Sequence, residues 1–200
     1  MIHLYCATGN AGKLREFRLA ADLARIQIDH VPGFKQLPEA VEDGATFEEN
    51  AIKKALHYSP HVPGLLFADD SGLEVDALNG APGVFSARYG GENASDQGNV
   101  EKLLREVQGA TKRSARFRCV IALAKNGKLM TTVAGEVDGR ITKSPRGENG
   151  FGYDPIFIPE GFEETFAELP SETKNAVSHR AKAVAELVRY FSTARRLARK

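Results

Sequence analysis

Residues 116–125 and 129–141 are two long extended segments separated only by a turn built on Asn126-Gly127. That dipeptide is a strong hairpin signal, because the tightest strand-matching turns need positive φ and Asn and Gly accept it readily. Any fold open to this chain must therefore contain a sheet with two long neighbouring strands. The other apolar runs alternate with helical patterns. Residues 2–7 read as a buried strand that breaks at Thr8-Gly9-Asn10. Residues 13–24 then read as a helix with Leu14, Phe17, Ala20, Ala21 and Ala24 on one side. Residues 26–31 form a second strand, and 32–45 are turn-rich and acidic. Thr46-Phe47-Glu48-Glu49 has the form of a capping box, so a helix is expected from there to about Tyr58. Residues 64–68 read as a strand ending at Asp69 and Asp70, 80–91 as a loop, 96–107 as a helix with Val100, Leu103, Leu104 and Val107 inward, 142–155 as a second loop, and 178–191 as a closing helix. The pattern is a mixed α/β domain built as one piece.

The chain's 200 residues suit a single domain, residues 1–200, with room for two lobes around a shared cleft. The 27 Lys and Arg against 26 Asp and Glu leave a net charge of +1, so no overall field attracts nucleic acid. Cys6 and Cys119 lie far apart without zinc spacing, which suits two buried thiols in a reducing compartment. The N-terminal stretch lacks the pattern of a signal peptide, and no run reaches the roughly 18 apolar residues of a membrane span. A cytoplasmic protein without nucleic-acid or membrane partners is the expectation.

Several stretches carry chemistry. In ATGNAGK a strand leads into a turn with Gly9 and Gly12, then a helix opening at Lys13. Free amides, a helix N-terminus and one ammonium suit a phosphate group. This is not a P-loop, which has four residues between its glycines and Ser or Thr after the lysine, where this chain has Leu14. An ordinary strand-to-helix turn with a solvated lysine is the competing reading. Asn50 and Lys54, four apart, share a helix face, while Lys53 points elsewhere and Glu42 sits in the acidic loop before them. Asp69 and Asp70 follow an apolar run beside Ser71 and Gly72, where α/β sheets place ligands. Adjacent carboxylates resist burial. Mg²⁺ beside phosphates is one explanation for them; a turn cap, assigned to Asp69, is the other. In GENGFGYDPIF, Phe151 or Tyr153 can stack on a base and Asp154 can accept from a base N–H, or the aromatics simply anchor the loop. ETKNAVSHRAKA puts Lys174, His179 and Arg180 around a helix start, as surface residues or as donors to a carbonyl oxygen. The basic tail RYFSTARRLARK reads as a solvated helix end.

The motifs ATGNAGK, TFEENAIKKA, ADDSGLEVDAL, GAPGVFSARYGG, GFGYDPIF and SHRAKA occur in the order seen in the inosine/xanthosine triphosphate pyrophosphatases, which the chain resembles from about residue 3 to residue 190. The resemblance implies an elongated α/β structure, two lobes around a long mixed sheet, with the substrate in a central cleft. It implies Mg²⁺-dependent hydrolysis of ITP, dITP and XTP to monophosphate and pyrophosphate by a homodimer. Carried over motif by motif, Thr8, Gly9, Asn10, Ala11, Gly12 and Lys13 hold the phosphates together with Lys54. Asp70 takes the place of the proton acceptor and Ser71 that of a substrate contact, while Glu42 and Asp70 fall where Mg²⁺ binds. Phe151, Gly152, Tyr153, Asp154, Lys174, His179 and Arg180 fall on the base-recognition side. The competing functions are a nucleotide pyrophosphatase with another base preference and a nucleotide sensor that does not turn over.

Overall fold

The structure, a computed structural model, describes residues 2–22 and 24–197. Residues 198–200, the end of the basic tail, lie outside the described residues. Six strands form one mixed sheet in the order β2-β1-β3-β4-β5-β6. They are β1 (Ile2–Cys6), β2 (Ile26–His30), β3 (Leu65–Val75), β4 (Ser114–Lys125), β5 (Lys128–Ile141) and β6 (Phe157–Pro159). The helices are α1 (Ala11–Asp22), α2 (Phe47–Tyr58), α3 (Asp96–Glu106), α4 (Ser171–Val177) and α5 (His179–Leu197). Strand β1 runs parallel to β2 and β3, and β5 runs antiparallel to β6. The β4–β5 turn places Asn126 at φ 49 and Gly127 at φ 73, the left-handed pair that the dipeptide predicts. Strand β6 and helix α4 escaped the sequence reading because three and seven residues show no usable periodicity.

The described chain divides into two compact units, Met1–Asp70 with Cys119–Gly135 and His179–Lys200, and Ser71–Arg118 with Glu136–Ser178. Each has its own core. In the first, Leu4, Phe17, Phe67, Ile121, Leu123 and Leu187 are buried together, with the Phe17 and Phe67 rings edge to face at 5.1 Å. Full burial of each such side chain contributes about 1.5–3 kcal/mol. In the second, Val100 and Leu103 of α3 pack with Leu73, Phe117, Phe157 and Phe166, in agreement with the apolar face read from the sequence.

Strand β3 corrects one expectation. It does not end at the aspartates but runs through them to Val75, and all but Leu65, Ser71 and Glu74 are buried. Successive side chains on a strand face opposite sides of the sheet. Asp69 and Asp70 therefore leave the strand on opposite sides, while the Lys13 and Lys54 ammonium groups act on both, and the strand need not break at them. Asp69 consequently caps no turn.

Helix α2 starts where its capping box predicts. The Thr46 hydroxyl accepts from the Glu49 amide at 3.1 Å, and the Glu49 carboxylate accepts from the Ala45 amide at 2.7 Å, one residue further back than the ideal box. Thr46→Ala is expected to lower stability by about 1 kcal/mol, measured by urea denaturation.

Candidate active site

In the first unit, the turn after β1 becomes a helix N-terminus through Asn10. Its side-chain oxygen accepts from the Lys13 amide at 2.9 Å, and its own amide donates to the Thr8 hydroxyl at 3.2 Å. That capping fixes the start of α1 and with it Lys13, whose ammonium meets Asp69 Oδ2 at 2.8 Å. Asp69 is 1% exposed. Burial pushes its carboxyl up, but Lys13, Lys54 and Arg180 together pull it below its ordinary value, so it stays ionised.

Helix α2 supplies the next layer. Asn50, at 1% exposure, donates to Asp70 Oδ2 at 3.1 Å, and its carbonyl accepts from the Gly44 amide at 2.8 Å. One amide thus pins the acidic loop to α2 and aims Asp70. On the other side of that loop, the Tyr58 hydroxyl accepts from the Ala40 amide at 3.1 Å, and His57 bonds the Pro38 carbonyl at 2.9 Å. The loop so held brings Glu42 Oε2 to 2.7 Å from the Lys54 ammonium, which also lies 3.6 Å from Asp70 Oδ1. Lys54 is buried, and burial pulls its pKa down. Asp70, Asp69 and Glu42 outweigh that and hold it above the ordinary lysine value. Asp70 is the exception: burial pushes its carboxyl up, and Lys54, Lys13 and the Asn50 hydrogen bond recover only part of the cost. Lys53, off the Asn50–Lys54 face, pairs with Asp43 at the surface.

Arg180 and His179, at the start of α5, are buried. The Arg180 guanidinium donates to Glu16 Oε2 of α1 at 2.7 Å. Sequence reasoning missed Glu16. Its signal was an acid next to Phe17, three residues after Lys13 and on the helix side that packs inward.

The second unit holds a separate group. The Phe151 amide donates to Asp154 Oδ2 at 2.8 Å, and the same carboxylate pairs with the buried Lys174 ammonium. That ammonium lies 5.3 Å from the Phe151 ring centroid. The Tyr153 hydroxyl donates to the Ser86 carbonyl at 2.8 Å. Gly150 sits at φ +79, and a Cβ there would lie 2.0 Å from Asp154 Oδ2, so only glycine lets the loop close on its own acid. Of the sequence candidates, then, Lys13, Glu42, Lys54 and Asp70 converge with Asp69 and Asn50 in the first unit, and Phe151, Asp154 and Lys174 converge in the second. Asn50 and Ser86 enter as further site-shaping residues.

A profile of the Ham1 family matches residues 4–190. The chain belongs to that family. It is 52% identical over 190 residues to a dITP/XTP pyrophosphatase of Geobacter sulfurreducens, covering 94% of this chain and 95% of that one. It is 48% identical over 183 residues to a dITP/XTP pyrophosphatase of Bacillus subtilis, covering 90% and 92%. The solved structure of a HAM1 protein from Coxiella burnetii superposes with a TM-score of 0.84 at 42% identity, covering 96% of this chain and 100% of that one. The mixed α/β architecture with its six-stranded sheet is thus a Ham1-family fold, and the family suggested by the six motifs is the family found.

Proposed function

We propose that this Ham1-family chain hydrolyses dITP, ITP and XTP to the nucleoside monophosphate and pyrophosphate with Mg²⁺, acting as a homodimer in the cytoplasm. The observation that carries the reading is the cluster around Asp70. Three carboxylates, Glu42, Asp69 and Asp70, meet the two ammonium groups of Lys13 and Lys54, beside the N-terminus of α1. Lysines and helix amides suit a polyphosphate, and the surplus negative charge suits a divalent cation.

The donor chemistry fits Mg²⁺. Among the described residues no three His, Cys, Asp or Glu side chains form a ready-made cage, and Mg²⁺ typically takes only one or two carboxylates beside substrate phosphates and water. Glu42 and Asp70, which share the Lys54 ammonium, are the donors that would hold it. When bound, Mg²⁺ supplies screening of the triphosphate charge and a better leaving group.

The chain's own residues do the rest. Lys13, Lys54 and the amides of residues 8–13 hold the phosphates, and Ser71 adds a contact. Asp70, aimed by Asn50, accepts the proton of a water directed at the α-phosphorus. Phe151, Gly152, Tyr153 and Asp154 frame the base, with Lys174, His179 and Arg180 as donors toward its O6. Hypoxanthine and xanthine offer a carbonyl at that position, whereas adenine presents an amino group and leaves such donors mispaired. A mismatch of this kind is worth about 10⁴-fold in selectivity. The reducing compartment agrees with two free, buried thiols whose pKa values burial pushes up, and no helix among the described residues is long and apolar enough to cross a membrane.

Incubation with Mg²⁺ and dITP, XTP, dGTP, dATP or dTTP, with pyrophosphate and orthophosphate assayed separately, tests the reading. Pyrophosphate from dITP and XTP, and little from dATP and dTTP, is the expected result. Orthophosphate as product would move the attack to the γ-phosphorus and overturn it. Equal turnover of all five would remove the base assignment, and binding without turnover would make the chain a nucleotide sensor.

A further inference from the structure

We propose that Asp96, a residue outside every motif described above, is a positioning residue for base selection. It fixes the 150–154 loop through the backbone amide of Gly152. The inference rests on the proposed function and adds a determinant to it.

Three successive residues of that loop are each held by a different group. The Phe151 amide goes to Asp154 Oδ2 at 2.8 Å, which closes the turn on itself, and the same carboxylate pairs with Lys174 of α4. The Tyr153 hydroxyl goes to the Ser86 carbonyl at 2.8 Å. Between them, the Gly152 amide donates to Asp96 Oδ2 at 2.7 Å. Gly152 stands at φ +60 with open space where a Cβ would be, so no packing at that position restrains it. Ser86 and Lys174 hold the loop through the Tyr153 and Asp154 side chains, and the Asp96 carboxylate holds the backbone between them.

That anchor is rigid. Asp96 is the first residue of α3, and the Ser95 hydroxyl caps the helix by accepting from the Gly98 amide at 3.1 Å. A carboxylate in the first turn is favoured by the helix dipole, and Val100 and Leu103, four and seven residues on along the same side of α3, tie the helix into the core. Asn99 and Lys102 repeat the pattern at three-residue spacing. The Gly90 amide donates to Asn99 Oδ1 at 2.7 Å, Asn99 Nδ2 donates to the Ala87 carbonyl at 3.2 Å, and the Lys102 ammonium donates to the Tyr89 carbonyl at 2.7 Å. One polar stripe of α3 therefore holds the 87–90 segment, next to the Ser86 that receives Tyr153, and also the glycine just before Tyr153. Loss of Asp96 would free the Gly152 peptide to rotate and carry the Phe151 ring and the Asp154 carboxylate with it.

The test compares kcat/KM for dITP and dATP in the wild type, Asp96→Ala, Asp96→Asn and Ser95→Ala, with hydrogen exchange followed on the peptide that contains Gly152. In Asp96→Ala the dITP preference is expected to fall about tenfold, the scale of one lost charge-assisted hydrogen bond, chiefly through a higher KM for dITP, and the Gly152 peptide is expected to exchange faster. Asp96→Asn keeps a side-chain oxygen as acceptor and should retain most of the preference. Ser95→Ala weakens the same helix without touching Gly152 and should leave the ratio and the loop exchange unchanged. An Asp96→Ala protein with wild-type preference and wild-type exchange overturns the proposal. So does a Ser95→Ala protein that loses the same preference, because helix stability would then be the cause. A wild type without preference for dITP removes the proposed function itself, a failure visible before any variant is compared.

Discussion

Asp70→Asn is expected to lower kcat for dITP by about 10³-fold, the usual scale for a positioned proton acceptor, and at the same time to raise the melting temperature of the metal-free protein. The two effects have one cause. Burial raises the Asp70 carboxyl above its ordinary pKa, so at neutral pH the fold disfavours the charge that the reaction needs. A neutral amide of the same size removes that cost and leaves Asn50 with an oxygen to donate to. Asp69→Asn is expected to act in the opposite direction. The Asp69 carboxyl is held below its ordinary value, so its ionised form contributes stability that is present above the unfolded-state pKa and lost as pH falls through the folded one. Its amide variant should melt lower at neutral pH, because the Lys13 ammonium loses the carboxylate that faces it. Thermal melts of both variants and rapid-quench assay of pyrophosphate release provide the measurement. An Asp70→Asn protein that melts lower, or turns over within tenfold of wild type, would remove Asp70 from the centre of the chemistry.

This pair also marks how far the sequence could be read. The hairpin at Asn126-Gly127, the capping box at Thr46 and the apolar face of α3 are local signals, each set by residues a few positions apart, and each appears in the fold as expected. The convergence of Lys13, Lys54 and Asp70 was reachable only through the motif order, since residues 13, 54 and 70 have no periodic relation. What stayed hidden was long-range pairing. Asp69 looked like a turn cap because two adjacent acids suggest a chain leaving the core. Lys13, 56 residues away, supplies the charge that lets β3 continue. Asn50 was placed on the right helix face, but nothing local says that its amide serves both Gly44 and Asp70. Asp96 resembles any acid in a first helical turn until the loop carrying Gly152 is folded beside it.

Arg180→Met is expected to destabilise the protein by about 3–5 kcal/mol, the cost of leaving one member of a buried ion pair without its partner. Glu16 and Arg180 have side-chain exposures of 9% and 6% and join α1 to α5 across 164 residues of sequence. Burial pulls the Arg180 pKa down, but Glu16 and Asp69 outweigh it and keep the guanidinium charged. Against a typical total stability of roughly 5–15 kcal/mol, this loss is large enough to read directly from urea denaturation. The double variant Glu16→Leu with Arg180→Met separates packing from function. With both charges gone, stability should recover most of the loss, since buried ion pairs replaced by apolar residues are often neutral. The preference for dITP over dATP should not recover, because the donor toward O6 is still missing. If the double variant regains stability and selectivity together, Arg180 only ties the two helices, and reading of O6 falls to His179 and Lys174. If stability stays lost, the pair is better than its apolar replacement, and α1 depends on Glu16 to present Lys13 to the phosphates.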